Sequence, residues 1–104
     1  MSAVANTLRG EASLVLGGVE HVFRPTFTAL IAAEAEVGPL FAAVERAAGG
    51  TIKLDELVAL LWHCLAPDSP PLTRASFAEA VVEVGLSAVT PVLKALLTQI
   101  LAGK

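Results

Sequence analysis

His63 and Cys64 lie side by side, and a metal site or an activated thiol is the first chemistry they suggest. On a helix, neighbours in sequence point about 100° apart, so the two cannot share one tetrahedral zinc. His21 is the only further His or Cys that could join them. The same divergence keeps the imidazole from serving as base for the thiol. Paired carboxylates come next. Glu34 and Glu36 are two apart and fall on different helix faces, whereas Glu79 and Glu83 are four apart and share one, read here as a solvated surface. No G-x-G-x-x-G opens a helix, and no Gly-rich loop ends in Lys-Ser or Lys-Thr. The expectation is a chain with no catalytic residues, no cofactor and no metal.

The elements that must position these side chains follow from local pattern. Residues 1–9 are small, polar and aperiodic, a flexible lead-in; residues 10–104 form a single domain. From Gly10 to Arg24 the pattern is a β-hairpin turning at Gly17-Gly18, since a two-residue hairpin turn favours glycines that accept positive φ. That turn pairs Leu16 with Val19, Leu14 with His21 and Ala12 with Phe23 on one face. Val15, Ser13 and Val22 take the other face, and Glu11 comes opposite Arg24 at the open end.

Pro25 ends the extended run, and about five short helices follow. In the first, Phe27, Leu30 and Ile31 form an inward stripe at i, i+3 and i+4. The second, about 39–48, turns Leu40, Phe41, Val44 and Ala48 to one side. In the third, Leu54, Leu57, Val58, Leu61 and Leu65 recur at helical spacing, with Asp55 and Glu56 in the first turn, where carboxylates favour the helix dipole. Pro67 and the Asp68-Ser69-Pro70-Pro71 run stop it. Thr73 caps a fourth helix that faces Phe77, Val81 and Val84 inward and ends at Gly85. The last begins at Thr90-Pro91 and carries a wide stripe of Val92, Leu93, Leu96, Leu97, Ile100 and Leu101. The fold class is α+β and mostly helical.

Composition narrows the function classes. Of 104 residues 55% are hydrophobic and 16% charged, which excludes extensive disorder. The longest run without Asp, Glu, Lys or Arg is Leu57 to Pro67, far below the about 20 residues that span a bilayer. The first residues lack a basic cluster followed by an apolar core, so no secretory signal is read. Seven scattered basic residues against ten acidic ones, net charge −3, make no stripe that tracks phosphates. Neither nucleic acid nor membrane is expected as a partner. One cysteine allows no internal disulfide and suits the cytoplasm.

The stretch from Gly10 to Glu34 also carries a recognisable pattern: a Gly-Glu lead, an L-x-L-G-G hairpin, then R-P-T-F-x-A-L and a glutamate. It resembles the small tail proteins of gene transfer agents, the phage-derived particles of alphaproteobacteria, and of related phages and prophages. The similarity extends through Leu54-Asp55-Glu56-Leu57, the Pro-rich loop and the Gly85 to Leu93 segment, about residues 10 to 102 in all. This family is variously labelled tail tube protein and tail assembly chaperone. The resemblance implies a tail-chaperone-like domain that binds the tape measure protein, and secondarily the tail tube protein, during virion morphogenesis. Two alternatives stand beside it: a structural tube or connector component retained in the particle, and a generic helical adaptor. A tube subunit would call for a larger sheet than one hairpin supplies. A homo-oligomer is compatible with each reading. The candidate partner interface is Trp62 together with Val92, Leu93, Leu96, Leu97, Ile100 and Leu101, Trp62 as an aromatic anchor and the stripe because it is wider than one small core requires.

Overall fold

A computed structural model describes residues 11–66 and 72–102. Two antiparallel strands, β1 (Ala12–Leu16) and β2 (Val19–Phe23), precede five helices: α1 (Phe27–Val37), α2 (Leu40–Ala48), α3 (Leu54–Cys64), α4 (Arg74–Val84) and α5 (Leu86–Ala102). The class is α+β and mostly helical. The expected lead-in over residues 1–9 and the proline run from Pro67 to Pro71 lie outside the described residues.

The hairpin register is the expected one, with Ala12 opposite Phe23, Leu14 opposite His21 and Leu16 opposite Val19. Gly17 and Gly18 sit at φ 58° and 80°, the doubly positive turn whose twist matches that of the strands. At the open end the Arg24 Nε–H donates to Glu11 Oε2 at 2.8 Å. Leu14, Leu16, His21 and Phe23 are buried; Val22, assigned to the outer face, is also buried. The chain leaving α3 returns along β2: Arg24 N–H donates to the Cys64 carbonyl (2.6 Å) and Ala66 N–H to that of Val22 (2.8 Å). Leu65, expected on the inward stripe of α3, instead follows the helix and bridges to Phe23.

Helix α3 is the centre of the core. Leu57, Val58, Ala59, Leu60, Leu61 and Cys64 are all buried, so the helix is covered on most sides, and Leu54 at its start is exposed. This arrangement rotates α1 from the expected orientation, keeping Leu30 against the core. Phe27 and Ile31 point outward at 80% and 50% exposure, and the buried residue is Ala33, with Ala29 and Leu30 packed beside it. A helix that must approach an apolar neighbour closely does so on its small residues, because bulky ones would hold the axes apart. In α2, Val44 is buried and Leu40 packs against the core as expected, with Ala43 buried beside them, whereas Phe41 is 69% exposed and Ala48 exposed.

The caps explain the boundaries. Thr26 Oγ1 accepts from Ala29 N–H and Thr73 Oγ1 from Ser76 N–H, each at 3.1 Å. Glu56 accepts from Lys53 N–H at 3.0 Å and pairs with Arg46 at 2.7 Å, tying α2 to α3. Helix α5 starts at Leu86 and not at Thr90-Pro91, with Pro91 inside it. The first turn is closed by the Gly85 carbonyl, which accepts from Ala88 and Val89 N–H (3.1 and 3.3 Å). Gly85, at φ 99° and ψ 144°, turns the chain by 113° between α4 and α5. Among the described residues no single helix is long and apolar enough to cross a membrane.

Candidate interaction surface

The side chains with chemical potential are occupied structurally. Cys64 is buried, and burial pushes its thiol up to about 12, so it stays protonated and unreactive at neutral pH. His63 points elsewhere: its Nε2 lies 2.9 Å from Glu36 Oε1. Arg74 closes on the same carboxylate, NH1 to Oε1 at 2.8 Å and NH2 to Oε2. Arg74 first, then His63, hold Glu36 down to about 2. The cluster joins α1, α3 and α4 from positions 36, 63 and 74, a separation that periodicity cannot connect. Glu34, on another face as expected, caps α2 by accepting from Leu40 N–H at 3.1 Å.

His21 is buried on the hairpin's inner face with Nδ1 lacking a hydrogen-bond partner, and burial lowers its pKa. Among the described residues no three His, Cys, Asp or Glu side chains converge on a metal position.

What remains is apolar surface. The predicted interface residues separate by depth. Val92, Leu93 and Leu96 are buried in the core, Leu97 and Ile100 are half-buried, and Leu101 is 57% exposed. Trp62 is half-buried, its ring 5.6 Å from that of Phe77, which in turn lies 6.1 Å from Phe23. Among the described residues, apolar grooves lie on two sides of this core. One, about 400 Å³, runs between α2 and α5, with Ala47 and Ala48 facing Leu93, Leu97 and Leu101. The other, about 570 Å³, runs between α3 and α4, with Leu54 and Val58 facing Ala78 and Val82. The exposed Phe27, Ile31 and Phe41 add apolar surface on α1 and α2. The α3–α4 groove was not read from the sequence. Its one visible signal was Val82, an apolar residue on the outward side of α4. Exposed apolar patches on folded proteins are commonly surfaces of contact with other molecules.

Comparison with known proteins gives one family. The model described as "Phage tail tube protein, GTA-gp10" matches residues 9–103. No curated protein and no solved structure matches the chain.

Proposed function

Because this chain belongs to the phage tail tube protein family GTA-gp10, we propose that it is a non-catalytic component of a phage-like or gene transfer agent tail, working through contacts with other tail proteins. The family match over residues 9–103 carries this reading, and the family is structural and not a known enzyme family. The tail tube family supports a tail component retained in the particle ahead of the assembly chaperone suggested by resemblance. Leu97, Ile100, Leu101 and Trp62 are the members of the predicted interface with surface left to offer a partner.

The chaperone reading keeps support from one observation. Among the described residues the only sheet is the two-stranded hairpin, which is small for a subunit that must ring a channel. In that reading the protein covers apolar stripes of the tape measure protein in the cytoplasm and leaves before the tail is complete. Quantitative mass spectrometry of purified particles separates the two. A retained component appears at a fixed copy number per tail; a chaperone appears in traces, and in cell extracts binds the tape measure protein. Absence of the chain from both particles and tail-assembly intermediates would overturn the tail assignment itself.

A further inference from the structure

Strand β1 has one edge that no other strand covers among the described residues. Leu16 and Val19 flank the two-residue turn and so form a narrow, doubly hydrogen-bonded pair. Alternation along the ladder makes Leu14–His21 and Ala12–Phe23 narrow pairs too, so the N–H and C=O groups of Ser13 and Val15 point away from β2. Neither residue's backbone finds a hydrogen-bond partner on that side among the described residues. Such an edge is normally guarded by a charge, a proline or a bulge. Strand β1 has none of these: it reads Ala-Ser-Leu-Val-Leu in unbroken register, and Val15 is 56% exposed. The other side of the hairpin is taken over Val22–Arg24, where Arg24 N–H donates to the Cys64 carbonyl and Ala66 N–H to that of Val22.

We propose that β1 pairs antiparallel with β1 of a second copy about a two-fold axis at Leu14, joining the two hairpins into one sheet twice as wide. A row of outward backbone donors and acceptors is matched by extended chain. That the extended chain is a second copy follows from the strand's own pattern. With the axis at Leu14, Ser13 meets Val15 of the second copy and Val15 meets its Ser13, each a narrow pair that exchanges both hydrogen bonds. On the inner face Leu14 meets its own equivalent, and Leu16 lies opposite Ala12 of the second copy, large against small. No charge opposes the approach. Ala12–Leu16 carries none, and Glu11 at the open end is paired with Arg24. Glu20 stands one strand back on β2, so the two copies of it lie about three strand spacings apart, about 14 Å and beyond the Debye length of about 8 Å. The pairing closes at two copies, because the Cys64–Ala66 chain occupies β2 where a further strand would have to add. This contact stands apart from the tail assignment, since it needs no other tail protein.

Sedimentation equilibrium of the full chain is expected to show monomer and dimer in exchange, with a Kd of about 0.1 mM or tighter. Hydrogen exchange followed by NMR on the unaltered chain then locates the contact. The Ser13 and Val15 amides should exchange about fivefold more slowly at a concentration about tenfold above Kd than at one well below it, because by mass action only about a fifth of the chain is then monomeric. Val15→Pro removes an outward N–H and none of the hairpin's own, a place where edge strands accept proline. It should weaken dimerisation at least about tenfold while circular dichroism at 222 nm keeps the helical signal. The exchange measurement needs no substitution, so it decides the matter even if the proline variant fails to fold. A chain that stays monomeric at about 1 mM would overturn the proposal and leave the edge to a strand from another protein. A dimer whose Ser13 and Val15 amides exchange equally fast at both concentrations, or a folded Val15→Pro protein that dimerises like wild type, would overturn it as well.

Discussion

Phe77 is the residue on which the fold most visibly depends. Its side chain is fully buried, and its ring meets Phe23 at 6.1 Å and Trp62 at 5.6 Å, both tilted at 51°. Phe77→Ala removes the transfer energy of the ring and leaves a cavity, together about 3–5 kcal/mol. Two aromatic contacts beyond area burial, at about 0.5–1.5 kcal/mol each, place the loss toward the top of that range, about 4–5 kcal/mol. A domain of this length has about 5–15 kcal/mol of stability in total. At about 4–8 °C per kcal/mol, the melting midpoint should fall by at least about 16 °C. Circular dichroism at 222 nm is the right readout, because Trp62 fluorescence would change simply from losing its neighbour. Phe77→Leu keeps most of the volume and gives an intermediate loss should the alanine variant fail to fold. Phe27→Ala is the contrast: at 80% exposure it should lie within about 0.5 kcal/mol of wild type. A Phe77→Ala midpoint within a few degrees of wild type, or a Phe27→Ala protein that unfolds, would refute this assignment of inside and outside.

Gly85→Ala should cost about 1–3 kcal/mol by urea denaturation even though a Cβ meets nothing within 4 Å, because φ 99° with ψ 144° is a backbone state that alanine avoids. Stability should fall with acid in two stages. His21 has its folded pKa below the ordinary 6.5, so the unfolded chain takes up the proton first and stability drops as pH falls through 6.5; His21→Leu should flatten that stage. Glu36 sits at about 2 against an ordinary 4.5, so its contribution is complete above 4.5 and lost as pH falls from there toward 2; Glu36→Gln should shrink that stage and leave the part due to Glu56, which its Lys53 and Arg46 partners also hold below 4.5. Urea midpoints measured across this range check both signs.

The hairpin was legible from sequence down to its register, because the alternation of Ala12, Leu14 and Leu16 and the Gly17-Gly18 turn are local signals with one geometric solution. The Glu11–Arg24 pair followed from that register alone. Thr73 and Gly85 at the ends of α4 were equally local, and Phe77 and Val81 face inward as their spacing dictates. That His63 and Cys64 diverge also follows from helix geometry: the imidazole reaches Glu36 while the thiol is buried.

Tertiary structure decided the rest. Which face of α1 is buried depended on its neighbour: α3 is apolar nearly all round, so α1 meets it through Ala33 and leaves Phe27 and Ile31 outside. Helical spacing identifies a stripe but not whether the small or the large side of a helix meets the core. Pro91 resembled a helix start, yet α5 begins five residues earlier, where the Gly85 carbonyl accepts the Ala88 and Val89 amides and Pro91 falls inside the helix. Glu36, His63 and Arg74 meet because α1, α3 and α4 are brought together, and the α3–α4 groove exists only where those helix surfaces diverge. Local backbone preference is encoded residue by residue; a groove or a three-helix ion cluster is a property of packed surfaces, fixed only once every element has chosen its neighbour.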